Sequence, residues 1–289
     1  MKAEITAFFD PATFTITYVI AEPEGVDERH CAVLDSVLDF DYSSGRTATS
    51  SADKVIEFIK NSNLVLDWIL ESHPHADHVT AAPHIQAALG GKTAIGENVT
   101  RVQENFRAVY NLGGDFETDG SQFDHLFADN EEFQIGKMMA KAIYTPGHTP
   151  SCVCYQVGDA VFVGDTMFMP DFGSARCDFP DGDARQLFHS IQRILSLPPE
   201  TRLFMCHDYA PGGREYAWET TVGEQRETSI HLNDNVSEED FVKMRTERDA
   251  QLSMPGLILP SIQLNIRAGH FPEPDDNGIS YLKLPLNAV

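Results

Sequence analysis

The sequence predicts an α/β protein in which two mixed β-sheets lie face to face with helices outside. Three observations carry this. Short apolar runs of strand length fall into two groups along the chain, each with helical patterns interleaved. Four of these runs stop abruptly at a His or an Asp, which places those residues at one sheet edge. No linker separates the two groups.

In order, Thr15–Ala21 and His30–Asp35 read as an antiparallel pair around the turn-rich Glu22–Glu28. Asp35 ends the second strand, where it either supports a metal site or caps the next loop. Ser51–Lys60 reads as a surface helix with an N-cap serine. Leu64–Leu70 is a buried strand, and Pro74 takes the chain out of the sheet. Between them and a helix near Thr80–Leu89, closed by Gly90-Gly91, lies Ser72-His73-Pro74-His75-Ala76-Asp77-His78. His73 and His75, two apart in extended backbone, share a side, and Asp77 and His78 follow as the chain turns. Such a cluster of imidazoles and carboxylate suits a divalent first-row metal; the plain alternative is a His-rich surface turn.

A strand at Thr93–Ile95, a helix over Val99–Leu112 and a glycine- and acid-rich loop at Gly113–Gly120 come next. Phe133–Tyr144 reads as one strand, broken by Thr145-Pro146-Gly147-His148-Thr149-Pro150. Cys152–Val157 and Ala160–Val163 form a hairpin around Gly158-Asp159, and Asp165 follows its second strand. Asp183–Leu197 has a helical period closed by Pro198-Pro199, and Leu203–Cys206 is a strand running into His207. Leu257–Ile266 reads as a terminal strand docking back on the body, and Pro272–Asn277 as a polar turn.

Composition narrows the function. The 289 residues are 42% hydrophobic and 22% charged, an ordinary globular make-up. A net charge of −23 without a basic stretch argues against nucleic acid and anionic membranes as partners. The N-terminus lacks a signal-peptide layout, no apolar run reaches the length of a membrane span, and the five cysteines form no dense framework. A cytoplasmic protein with reduced thiols is expected. The absence of a CxxC pair speaks against a thiolate zinc site.

His73-Pro-His75-Ala-Asp77-His78, Thr145-Pro-Gly-His148-Thr, Gly164-Asp165 and His207 together resemble the metallo-β-lactamase superfamily, over roughly Thr15 to Tyr209. The resemblance implies an αβ/βα sandwich, with a catalytic domain over 1–230 and a C-terminal extension over 231–289 packed on it. Gly173-Ser-Ala-Arg176-Cys-Asp178-Phe179 and Cys206-His207-Asp208-Tyr209 are similar to the persulfide dioxygenase branch. Ala175, where that branch has glycine, and the long tail depart from its pattern.

What the branch implies is one ferrous iron per chain on His73, His148 and Asp165, which are also the catalytic residues. Two histidines and one carboxylate are the set of non-heme Fe(II) oxygenases. His75, Asp77, His78 and His207 then either orient those ligands or hold a second metal. The implied reaction oxidises glutathione persulfide with O₂ to sulfite and glutathione, with Arg176 and Tyr209 contacting glutathione. For Arg176 the alternative is a structural ion pair with Asp178 or Asp181. A homodimer is expected. Two rivals stand beside this: a zinc thioester hydrolase of the glyoxalase II kind (hydroxyacylglutathione hydrolase), and a non-catalytic regulatory member that binds metal or thiols.

Overall fold

The computed structural model describes residues 2–114 and 116–287; the ends of the two expected segments, 1 and 288–289, lie outside these. The first half of the chain holds β1 (Glu4–Asp10), β2 (Thr15–Ala21), β3 (Arg29–Leu34) and a small hairpin, β4 (Asp39–Asp41) with β5 (Arg46–Ala48). Then come α1 (Ser50–Asn61), β6 (Leu64–Leu70), α2 (Ala82–Leu89), β7 (Lys92–Gly96), α3 (Val99–Val109) and β8 (His125–Phe127). The second half holds β9 (Glu132–Ile135), β10 (Met138–Tyr144), β11 (Val153–Val157), β12 (Ala160–Phe162), α4 (Ala184–Leu195), β13 (Arg202–Phe204) and β14 (Glu219–Thr221). The helices α5 (Val222–Thr228), α6 (Glu238–Asp249) and α7 (Ile258–Asn265) close the chain.

The strands form two mixed six-stranded sheets, ordered β1-β2-β3-β6-β7-β8 and β14-β13-β12-β11-β10-β9. The central runs β3-β6-β7-β8 and β12-β13 are parallel and the rest antiparallel. Between the sheets Tyr18, Leu70, Phe127, Tyr155, Phe162 and Phe204 make the main core. On the outer face of the first sheet, Val19, Val33 and Ile69 meet Val55 and Ile59 of α1 and Ile85 of α2. On that of the second, Val161 and Leu203 meet Leu187 and Ile191 of α4, with Phe241 of α6 in the same cluster. All seven residues of β2 are buried, as a strand covered on both faces requires.

Several local expectations change. Phe133–Tyr144 is two strands: positive φ (56°) at Gly136 turns the chain, and β9 pairs back on β10. β1 was not anticipated; it adds an edge strand whose residues are mostly half-buried. The N-cap of α1 is Thr49, not Ser51, whose N–H and hydroxyl are bound by Asp39 instead. The largest change concerns Leu257–Ile266. It is helical, because Ile258, Ile262 and Ile266 recur every four residues and pack on Val102 and Phe106 of α3. No helix among the described residues is long and apolar enough to cross a membrane.

Candidate metal centre

Five strand ends meet at one edge. Asp35 follows β3, and His73, His75, Asp77 and His78 follow β6. His148 sits in the turn between β10 and β11, Asp165 just after β12, and His207 just after β13. Two backbone bonds join the sheets there: Val153 N–H donates to Ser72 O (2.9 Å) and Ile16 N–H to Cys206 O (2.7 Å). Gly147 sets up the His148 turn. Its φ is 140°, and an added Cβ would lie 2.4 Å from the backbone of Leu187, so α4 presses directly on this turn.

Two ligand groups share one carboxylate. Asp165 Oδ2 lies 4.0 Å from His73 Nε2 and 3.7 Å from His148 Nε2. Its Oδ1 lies 3.3 Å from His207 Nε2, which is 3.1 Å from Asp77 Oδ2. In each of the groups His73/His148/Asp165 and His75/Asp77/His78/His207 the ligand atoms lie within 4.8 Å of one another. The expected residues are therefore brought together, in two clusters that meet at Asp165.

Their surroundings hold them in place. His148 Nδ1–H donates to the Arg176 carbonyl (2.8 Å), which leaves Nε2 facing Asp165. His75 Nε2–H donates to Asp35 Oδ1 (3.0 Å), and the same oxygen accepts from Ser72 N–H (2.7 Å). Asp35 thus supports the cluster rather than capping a loop. Burial lowers the pKa of His75, but Asp35 and Glu71 outweigh it and the ring sits well above its ordinary value. Burial and then the neighbouring imidazoles hold His73 well below the ordinary range. Burial first and then His75 bring His78 to about 4. Both rings are neutral at pH 7 and keep a lone pair for a cation. Asp165 is raised, because burial outweighs the pull of His207 and His148.

This donor set fits a metal. On the side of the His75/Asp77/His78/His207 group, Asp165 Oδ1, His78 Nε2 and His207 Nε2 are buried without a hydrogen-bond partner, a costly state that a divalent cation bound there would relieve. The sequence profile of the metallo-beta-lactamase superfamily matches residues 14–207. The chain belongs to that superfamily. It is 50% identical over 288 residues to "Glyoxylase B2" of Dictyostelium discoideum, covering 99% of this chain and 98% of that protein. It is 27% identical over 264 residues to "Persulfide dioxygenase ETHE1, mitochondrial" of Homo sapiens, covering 90% and 87%. The ETHE1 crystal structure from Myxococcus xanthus superposes with a TM-score of 0.72 at 24% identity, covering 92% of this chain and 100% of that one. The αβ/βα sandwich is the fold of the superfamily, and the ETHE1 relatives support the persulfide dioxygenase branch.

The metal centre opens on a pocket of about 400 Å³ that reaches Asp77, His148 and Asp165. Phe14, Phe168, Phe172 and Phe179 give it an apolar wall, and the tail from Leu252 to Leu257 closes one side. Tyr209 lines it too, with its ring stacked on His207 at 6.0 Å. Burial holds the Tyr209 hydroxyl well above its usual pKa, so it stays a donor. Arg176 also lines the pocket, but both arms of its fork sit on Asp178 (2.6 Å each) and a third nitrogen donates to Ser253 O (2.7 Å). The ion pair with Asp178 is thus the contact the side chain makes, and a ligand carboxylate would have to break it.

Sequence reasoning missed Asn265. From α7 its Nδ2 donates to the carbonyls of His75 and His78 (2.8 Å each), and its Oδ1 accepts from Thr80 N–H (3.0 Å). Its only signal was a polar residue inside an apolar run. Arg245 and Arg248 of α6, both on the pocket wall, were missed as well.

Proposed function

We propose that this protein is a non-heme iron dioxygenase that oxidises glutathione persulfide to sulfite and glutathione. The balance is one persulfide, one O₂ and one water giving glutathione, sulfite and two protons; the outer sulfur is oxidised and O₂ is reduced. The observation that carries the reading is the His73/His148/Asp165 group, two imidazoles and one carboxylate, of which His148 and Asp165 line the phenylalanine-walled pocket. Ferrous iron held there would leave coordination positions for both reactants and supply the electron that triplet O₂ needs.

The chain's own part is to position and to shelter. The Arg176 carbonyl keeps the His148 lone pair aimed at the site. The phenylalanine wall keeps bulk water off the reacting sulfur. Tyr209 offers a protonated hydroxyl to the substrate arm beside His207. The reading is also supported by the resemblance of Gly173–Phe179 to the persulfide dioxygenase branch and by the 27% relative of that name.

Two observations favour a second reading, a zinc thioester hydrolase. The adjacent His75/Asp77/His78/His207 group offers a full second ligand set, and a relative at 50% identity carries the name "Glyoxylase B2". Two metals sharing Asp165 would suit activation of water for hydrolysis. Metal analysis of the purified protein, with oxygen uptake on glutathione persulfide and hydrolysis of S-lactoylglutathione measured side by side, separates them. The expected result is one iron per chain and oxygen uptake that His73→Ala, His148→Ala and Asp165→Ala each abolish. Two zincs per chain with thioester hydrolysis and no oxygen uptake would overturn the proposal.

A further inference from the structure

Three arginines line the pocket: Arg176, Arg245 and Arg248. Two are spent within the protein. Arg176 holds Asp178 and the Ser253 carbonyl. Arg245 is buried and donates to Asp249 Oδ1 (2.9 and 2.6 Å) and to the carbonyl and hydroxyl of Ser174 (3.0 and 3.2 Å). Arg248 lies three residues further along α6, on the same face, and so reaches the same pocket. It is exposed, and among the described residues its guanidinium meets no acceptor and no carboxylate.

The charge layout of the pocket is polarised. Among the described residues its acidic lining is Asp77 and Asp165, both at the metal end. Arg248 comes from α6, and the rest of the wall around it is apolar or already paired. With a net charge of −23, the protein as a whole repels anions, so a negatively charged ligand must find its attraction locally. A free guanidinium beside an apolar wall is the group that grips a carboxylate with two parallel bonds.

The geometry points to Arg248 as the anion anchor of this pocket, selecting thiol substrates that carry a carboxylate on the arm away from the sulfur. The inference rests on the reading above that the substrate is a glutathione derivative whose sulfur meets His148 and Asp165. It assigns the carboxylate grip to a residue of the C-terminal extension, not to the wall arginine Arg176.

The test is calorimetric binding of S-methylglutathione, a thioether that neither oxygen nor water can turn over at this site, compared with its diethyl ester, which lacks both carboxylates. The metal-loaded wild-type protein, Arg248→Gln, Arg248→Lys and Arg176→Gln are measured together, with metal content and melting temperature alongside. Arg248→Gln is expected to weaken the acid by about tenfold or more, as loss of a charged hydrogen bond does, and to leave the ester unchanged. Arg248→Lys is expected to recover part of that loss, since a point charge lacks the fork. Equal loss for acid and ester, no loss at all, a carboxylate-dependent loss in Arg176→Gln alone, or no wild-type binding would each overturn the inference. Loss of metal in Arg248→Gln would also overturn it, by making the arginine structural. If Arg248-dependent binding holds while oxygen uptake fails, the dioxygenase reading falls and the anchor stands.

Discussion

Asp165 decides how the site is read, because one carboxylate serves both ligand groups. Its Oδ2 faces His73 and His148 while its Oδ1 faces His207. If one iron sits between the first three, His207 supports from the side and is not itself a ligand. His207→Ala is then expected to keep its metal and to turn over ~10–100-fold more slowly, as loss of an orienting neighbour does. Metal content per chain, measured beside the rate, checks it; loss of half of two bound metals would show a ligand. Asp35 belongs to the same scale. At positive φ (51°) it places one oxygen between Ser72 N–H and His75, a geometry that a short polar side chain tolerates.

At the scale of elements, α7 is the unexpected part of the centre. Its apolar residues hold it against α3, and this brings Asn265 under the His75–His78 loop. Asn265→Ala would leave the carbonyls of His75 and His78 and the Thr80 N–H buried without partners. Each such group costs about 1–3 kcal/mol. The variant is expected to be destabilised by a few kcal/mol in urea unfolding and to lose metal more readily to a chelator. An unchanged midpoint would show that the loop holds its own shape. The strand reading of this segment failed for a physical reason. An apolar run of this length satisfies both periods, and only its packing partner, the face of α3, selects the helical one.

For the whole molecule, the tail is joined to the body by buried groups. His231 Nδ1 accepts from Ser174 N–H (3.1 Å), beside the buried Arg245–Asp249 pair. Burial first, then Arg245 and Arg248, lower His231 to about 4. Below pH 6.5 the unfolded chain takes up a proton that the folded one refuses, so stability falls with pH between about 6.5 and 4. His231→Gln keeps an acceptor for Ser174 and cannot charge. It is expected to lose less melting temperature than the wild type between pH 7 and pH 5, read by thermal denaturation at both. Parallel losses in the two proteins would place the acid sensitivity elsewhere.

The sequence alone determined the two-sheet layout and which histidines and aspartates gather at the shared sheet edge. Strands buried on both faces are continuous apolar runs, and a metal centre at sheet edges needs histidines and aspartates where those runs stop. Both signals are local in sequence, as at Leu64–His78 and at Ala160–Asp165. What lay beyond it were the relations between distant segments. That Asp165 stands between two groups, that Arg176 is taken by Asp178 and Ser253, and that Asn265 supports His75 depend on contacts spanning up to 190 positions. No local period encodes such contacts. They follow from which apolar faces the two sheets and the tail bury against one another, and the tertiary structure decided them.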